Sequence, residues 1–217
     1  PRAVVLYPGK AGHAADHRAG SGCELRPRLP GERPIIVGVA RRFPHHPVRI
    51  EVADLSLIGD REENQDRVAV VGAGPAVLLV AVDGMGGHAD GAKAAQVATD
   101  TVREAFGRQA QPLLDPQGFL HLAIGRAHAN VVALGAKLPL EQRPRATCAV
   151  CLVQDGGAYW AHVGDSRIYQ LRGGRVHARS RDHSHVELLL QEGVIREDEV
   201  AGHPMRNFVE CCLGGDA

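Results

Sequence analysis

The chain lacks any apolar run of about 18 residues, so we expect no transmembrane helix. It also lacks an excess of charge of either sign, because Lys and Arg together number 25 and Asp and Glu together number 25. A zero net charge argues against a nucleic-acid-binding or membrane-surface protein. With 217 residues, 44% of them hydrophobic, the chain can form one domain with a substantial core.

Cysteine is scarce and odd in number, with five residues, which argues against a disulfide framework. We therefore expect reduced cysteines and a cytoplasmic protein. Cys148 and Cys151 form a C-x-x-C pair, but they lie in a predicted strand, where positions three apart point to opposite faces. This predicts two packing residues, not a shared zinc site or redox pair, and we expect Cys211 and Cys212 to be packing residues as well.

Residues 1–47 differ from the rest in being rich in Pro, Gly, Arg and His without sustained periodicity. They contain neither an initiator Met nor a signal-peptide pattern. Three interpretations stay open: a disordered tail, a linker from a longer protein, or sequence outside the natural reading frame. We expect the folded domain to occupy residues 48–217.

Hydrophobic periodicity predicts strands, then two helices, then strands again. The predicted strands cover 49–58, 67–72, 76–83, 147–154, 158–164, 166–172 and 175–180, and the predicted helices cover 91–106, 117–136 and 184–192. Antiparallel hairpins with helices grouped between them favour an α+β fold over a doubly wound parallel sheet. A helix pair on one sheet, with a second sheet closing the other side, would form a layered sandwich.

The strand at 76–83 ends in Asp83, followed by a glycine-rich loop that reaches His88. Gly84 has no side chain, so its carbonyl can approach a ligand closely. Carboxylate and carbonyl oxygens suit hard cations such as Mg²⁺ and Mn²⁺. His88 can transfer a proton near neutral pH. The alternative is a glycine-rich turn with an N-capping Asp.

Two further acidic motifs adjoin predicted strands. Arg61 precedes Asp66 by five residues across a turn, and a guanidinium fork at that distance can bind a phosphate beside a carboxylate. Asp165 lies in Gly164-Asp-Ser-Arg167 between two apolar strands, which indicates a site or a buried ion pair more than a solvated turn. Three such motifs in one chain favour a metal site.

Six short motifs follow one another along residues 50–214. They are Arg61-Glu-Glu-Asn-Gln-Asp66, Asp83-Gly-Met-Gly-Gly-His88 with Gly91-Ala-Lys-Ala-Ala95, Ala146-Thr147, Gly164-Asp-Ser-Arg167, Asp182-His-Ser184, and His203-Pro-Met-Arg-Asn207 leading to Leu213-Gly214. In these the chain resembles the metal-dependent serine/threonine phosphatases of the protein phosphatase type 2C, or PPM, family in their short bacterial form. The resemblance implies a four-layer α-β-β-α sandwich of two antiparallel sheets flanked by helices.

The resemblance also implies a metal site in the cleft between the sheet edges. Asp83 would bridge two Mn²⁺ or Mg²⁺ ions, the Gly84 carbonyl would bind one of them, and Asp165 would hold a third, weaker ion. Asp66 would hold the water that the metals activate for attack on phosphorus.

The resemblance implies two further residues that contact the substrate and do not bind metal. Arg61 would bind the substrate phosphate, and His88 would protonate the leaving seryl or threonyl oxygen. Residues 185–207 would form a flap that influences substrate preference. The implied activity is hydrolysis of phosphoserine and phosphothreonine in signalling proteins, and the expected partners are a cognate serine/threonine kinase or its substrates. We expect a monomer.

The family has two further metal aspartates, one in a Ser-Asp-Gly strand end and one in an Asp-Asn pair, and this chain stops at Ala217 before either. This predicts a sandwich incomplete at the C-terminus, in a fragment or truncated product. The alternative function is a catalytically impaired phosphatase-like module that binds phosphoproteins or a signalling partner. A nuclease or other two-metal hydrolase is a third, which the neutral charge argues against.

Overall fold

The computed structural model describes residues 2–7, 41–42, 50–58, 63–85 and 89–215. The strands are β1 (Arg2–Tyr7), β2 (Arg41–Arg42), β3 (Glu51–Val52), β4 (Asp66–Ala73), β5 (Ala76–Met85), β6 (Arg145–Ala146), β7 (Cys148–Gln154), β8 (Gly157–Val163), β9 (Arg167–Arg172) and β10 (Arg175–Arg179). The helices are α1 (Ala89–Gly107), α2 (Pro116–Leu134), α3 (His185–Gln191) and α4 (Glu197–Val200), with a single 3₁₀ turn at Leu140–Gln142.

The central sheet has five antiparallel strands in the order β4-β5-β7-β8, with β6 pairing the end of β5. Because side chains alternate along a strand, β5 has two faces. Its residues Leu78, Val80 and Val82 point into the main core and are buried. Asp83 follows on the opposite face, which the helices do not cover.

The helices α1 and α2 pack on the core face of this sheet. Small residues on α1 are fully buried, which lets the helix lie close to β5, and Phe106 meets Phe119 of α2 with ring centroids 5.9 Å apart. Asp115 caps the N-terminus of α2, and its carboxylate accepts a hydrogen bond from the Gly118 N–H at 2.9 Å. Its buried residues are Leu120, Ala123, Ala127 and Val131.

A second antiparallel sheet, in the order β1-β9-β10, lies on the other side, where β1 and β9 approach β5 and β7. The register between β1 and β9 sets Val4 opposite Gln170 and Leu6 opposite Ile168. The described residues thus form three consecutive layers: helices, five-stranded sheet and three-stranded sheet. The predicted α+β sandwich of antiparallel sheets and helices is confirmed.

The structure differs from two predictions for the N-terminal part of the chain. Residues 1–47 were expected outside the domain, yet Arg2–Tyr7 pairs along its whole length with β9, so this stretch contributes a strand. Apart from residues 2–7 and 41–42, the segment lies outside the described residues, and the domain boundary stays a prediction. The strand predicted over 49–58 is wrong beyond Glu51–Val52, because Leu55 and Leu57 remain about half exposed and no strand pairs with them among the described residues.

The cysteine predictions are confirmed in one pair and half wrong in the other. Cys148 faces the helix-side core and Cys151 the opposite side, and both are buried. Burial raises the pKa of each thiol to about 12. Cys211 is exposed, because the segment before Leu213 runs over the surface. In the described part of the chain, no helix is long and apolar enough to cross a membrane.

Candidate active site

Two predicted site residues, Asp66 and Asp83, lie directly opposite each other on β4 and β5. Directly opposed residues of an antiparallel pair share a face, with β-carbons about 4.5–5.5 Å apart. Asp83 is only 3% exposed, and Asp66 is half-buried. Two carboxylates in this position repel each other, and a cation bound by both would offset that repulsion.

Glycine contacts fix the strand ends next to these carboxylates. The Gly84 N–H donates to the Gln65 carbonyl at 3.1 Å. A β-carbon at position 84 would collide with the carbonyl group of Gly91 in the first turns of α1, and one at position 91 would lie 3.0 Å from the Gln65 side chain. Only glycine at position 84 allows α1 to start this close to the end of β5.

Thr147 connects β5 to the turn that carries Asp165. Its N–H donates to the Asp83 carbonyl at 2.8 Å, and its hydroxyl lies 2.5 Å from that of Ser166, with both residues fully buried. Gly164 has a φ of 94°, and a β-carbon there would lie 2.6 Å from the Thr147 methyl. These contacts hold the half-buried Asp165 at the same end of the sheet as Asp83.

An ion pair closes the other side of this turn. Arg167 donates to both carboxylate oxygens of Asp182, at 2.7 and 2.6 Å, and the Asp182 side chain is 11% exposed. The hydrogen bonds to Asp182 raise the pKa of the Arg167 guanidinium. The sequence indicated either a functional site or a buried ion pair at the Gly164–Arg167 motif. In the structure Arg167 is the cation of an ion pair with Asp182.

Two histidines stack beside the same turn. The rings of His162 and His183 have centroids 4.6 Å apart. The His183 N–H donates to the Gly164 carbonyl at 2.9 Å, and His162 Nε2 lies 2.6 Å from the Arg181 carbonyl. Burial, followed by the proximity of His162, lowers the pKa of His183. These contacts hold the segment after β10 against the end of β8.

The structure therefore brings together Asp66, Asp83 and Gly84, and places Asp165 on a separate turn at the same sheet end. Arg61 and His88 lie outside the described residues. Within the described ranges, no three His, Cys, Asp or Glu side chains form a group that could hold a metal ion. What the described chain supplies is a pair of carboxylates beside a backbone carbonyl.

Sequence reasoning assigned no role to several residues that support this site. Thr147, Gly91, Ser166 and Gln65 all belong to the six motifs, but the sequence predicts no contact for any of them. A hydroxyl residue inside the apolar stretch at Thr147 was the one available signal, since buried hydroxyls need a hydrogen-bond partner.

Comparisons with known proteins agree with this arrangement. A family model described as protein phosphatase 2C matches residues 56–188, more than half of the chain. A protein of the phosphatase 2C type from Streptococcus pyogenes is 33% identical over 138 residues, which are 63% of this chain and 56% of the relative. The chain thus spans little more than half the length of that relative.

Solved structures show the same fold. The serine/threonine phosphatase of Streptococcus agalactiae has a TM-score of 0.67 at 27% identity, covering 76% of this chain and 67% of that one. The catalytic domain of the serine/threonine protein phosphatase PstP, in complex with two manganese ions, has a TM-score of 0.61 at 25% identity, covering 83% and 67%. Because the family model matches more than half of the chain, the chain belongs to the protein phosphatase 2C family.

Proposed function

We propose that this protein hydrolyses phosphoserine and phosphothreonine in proteins, using Mn²⁺ or Mg²⁺. The observation that carries the proposal is the opposition of Asp66 and Asp83 at the end of the β4–β5 ladder. Membership of the protein phosphatase 2C family supports it, as does the serine/threonine phosphatase activity named for its structural relatives.

The residues present fit a hard divalent cation. Carboxylates and peptide carbonyls are oxygen donors, and Mg²⁺ is commonly bound by one or two carboxylates together with waters and substrate phosphate oxygens. Asp66, Asp83 and the Gly84 carbonyl would hold two ions, and Asp165 would hold a third. When bound, the ions polarise the phosphoryl group and lower the pKa of the attacking water. The two manganese ions of the PstP structure support this assignment.

The remaining roles belong to side chains around the phosphate. Arg61 binds two phosphate oxygens through its guanidinium fork, which neutralises charge on the dianion. Asp66 orients the water that attacks phosphorus. As the bond from phosphorus to the seryl or threonyl oxygen breaks, His88 donates the proton which that oxygen needs. The products are the protein hydroxyl and inorganic phosphate.

The cellular setting is proposed on the same basis. The substrates are phosphoproteins made by a serine/threonine kinase in the cytoplasm, and the catalytic unit is a monomer that occupies residues 48–217 together with the paired strand β1. The family membership supports the substrate class.

Phosphate release from a phosphothreonine peptide tests the activity. We expect release by the 217-residue chain with MnCl₂ and none with EDTA. Asp83→Asn and Asp66→Asn should each lower the rate about 100-fold or more, because each removes charge that holds the ions and several kcal/mol of transition-state stabilisation depends on those ions.

Asp155→Asn is the matched control for charge. Asp155 lies in the exposed β7–β8 turn with a φ of 51°, a conformation that Asn tolerates, so this variant should keep the full rate. A chain that binds the phosphopeptide without turnover, in Mn²⁺ or Mg²⁺, would instead establish the phosphoprotein-binding module. Full activity in Asp83→Asn would reject the site.

A further inference from the structure

A run of exposed arginines follows the edge of the three-stranded sheet. We call it the arginine strip; it consists of Arg172, Arg175, Arg179 and Arg181. All four are exposed. Residues 166–181 contain no Asp or Glu, and in the described part of the chain none of the four takes part in an ion pair. Arg167 beside them, by contrast, is paired with Asp182.

Two arginines of the strip, Arg175 and Arg179, lie on the edge strand β10, while Arg172 ends β9 and Arg181 follows β10. In the order β1-β9-β10, β10 has a partner on one side only among the described strands. Arg172 and Arg175 face each other across the hairpin, whose turn residues Gly173 and Gly174 have φ values of 58° and 75°. Like charges directly opposite on neighbouring strands repel, and an anionic partner bound between them would relieve that repulsion.

One end of the strip reaches the candidate active site. The Arg181 carbonyl lies 2.6 Å from His162 Nε2, and two residues later the His183 N–H donates to the carbonyl of Gly164. Gly164 immediately precedes Asp165. A register shift between Val176 and Ala178 interrupts this segment, so from Arg175 to Arg181 it spans at most about 20 Å, which is the length of a peptide segment of up to six residues leading away from the site.

We propose that the arginine strip binds an acidic segment next to the phosphorylated residue of the substrate protein. The inference rests on the proposed function for the phosphorylated residue itself. The segment lies extended along β10, where the open strand edge offers backbone N–H and C=O groups for pairing. Its Asp and Glu side chains meet the arginines, whose guanidinium forks match carboxylates.

Charge and backbone together favour a peptide over a membrane or a nucleic acid. The chain has no net positive charge, which weakens long-range attraction to a polyanion. Only a peptide can also use the strand edge. The strip ends beside the candidate active site, as a docking surface for a substrate's flanking residues would.

Fluorescence anisotropy of labelled peptides tests this binding. One peptide carries phosphothreonine flanked by Asp and Glu, and a second carries Gln and Ser in place of those acids. We expect the unmodified chain to bind the acidic peptide about fivefold to tenfold more tightly, since exposed ion pairs each contribute modestly. Raising NaCl from 50 to 500 mM should remove the preference.

The double variant Arg175→Gln, Arg179→Gln should reduce the preference to less than about twofold. The matched control is Arg126→Gln, Lys137→Gln, which removes two exposed cations on and just after α2, and it should keep the preference. An equal affinity for both peptides in the unmodified chain, or an unchanged preference in the strip variant, would overturn the proposal.

Two further measurements separate the outcomes. In the first, phosphatidylserine vesicles, single-stranded oligonucleotides and the unlabelled acidic peptide compete with the labelled acidic peptide. If vesicles or oligonucleotides displace it at a lower concentration than the unlabelled peptide does, the choice of a peptide partner is overturned. Turnover of p-nitrophenyl phosphate with Mn²⁺ by the unmodified chain reports on the proposed function alone. The peptide preference is read from binding, so absent turnover with a retained preference would reject the proposed function and keep the arginine strip.

Discussion

Asp83 is a carboxylate at the end of a strand that is otherwise apolar and buried. A buried charge is stable only where other groups compensate it, and Asp83 is only 3% exposed. The opposed Asp66 adds a second negative charge on the same face. At the scale of single residues, this pair is the feature that a divalent ion explains.

Cysteine reactivity gives a residue-scale prediction. Because burial raises the pKa of Cys148 and Cys151 to about 12, neither holds an appreciable thiolate at pH 8, and the thiolate is the reactive form. We expect iodoacetamide to label Cys211 in the native protein and to leave Cys148 and Cys151 unlabelled, as measured by peptide mapping. In urea all three should react. Native labelling of Cys148 would show that the β7 core is not closed.

His183 gives a second residue-scale prediction. Its pKa is lowered in the folded state, so the folded protein binds fewer protons than the unfolded chain just below pH 6.5. Stability is therefore full above about pH 6.5 and falls as pH drops below it. In His183→Asn, whose amide oxygen can accept from the Gly164 N–H, the fall between pH 7.5 and 5.5 in urea-unfolding free energy should be smaller. His121→Asn, on the exposed side of α2, is the control; an equal fall in both variants would contradict the prediction.

Much of this site was open to prediction from sequence, for a specific reason. The two-residue turn at Gly74–Pro75 fixes the register of the β4–β5 hairpin, and register follows from turn length. The opposition of Asp66 and Asp83 is thus encoded locally. The Thr147–Ser166 contact was not, because it joins residues 19 positions apart and depends on how two strand ends pack.

At the scale of elements, the approach of α1 to β5 sets where the site can form. A β-carbon at Gly84 has no free space against the Gly91 backbone. The boundaries of the strands and helices from β4 to α3 lie close to those predicted, except that the two-residue strand β6 was not predicted. The strand predicted over residues 49–58 is the exception. An alternating pattern forms a strand only where a partner strand buries one of its faces.

Two glycine substitutions test that approach. Gly84→Ala should lower the free energy of unfolding by about 1–3 kcal/mol, because α1 has to shift away from β5. Gly125→Ala is the matched control, since its β-carbon meets nothing within 4 Å on the exposed side of α2. It should raise stability by about 0.5–1 kcal/mol through helix propensity. Urea titration of both variants gives the comparison, and a neutral Gly84→Ala would contradict the close contact.

At the scale of the whole molecule, the two sheets enclose the face on which the carboxylates lie. The sandwich of helices and sheets followed from the order of periodic segments. The strand β1 did not, because its partner β9 lies some 160 residues away in sequence and no local pattern specifies such a pairing. Likewise, a net charge of zero gave no sign of the arginine strip, since a sum over the chain hides where its charges lie.

The effect of metal on thermal stability is a prediction for the molecule as a whole. A ligand that binds only the folded state raises the midpoint of thermal unfolding. We expect MnCl₂ to raise that midpoint for the unmodified chain and for Asp155→Asn, and EDTA to reverse the rise. Asp83→Asn should show a clearly smaller shift at the same MnCl₂ concentration, and a shift equal to that of the unmodified chain would point to ions bound elsewhere.

Isothermal titration of Mn²⁺ into the 217-residue chain tests the central claim most directly. The account predicts saturable binding by the unmodified chain and by Asp155→Asn. Binding should be weakened at least about tenfold in Asp83→Asn, because a carboxylate that contacts the ion contributes at least as much as residues that only orient such ligands, whose loss costs about 10–100-fold. Absence of binding in the unmodified chain, or equal affinity in Asp83→Asn, would contradict it.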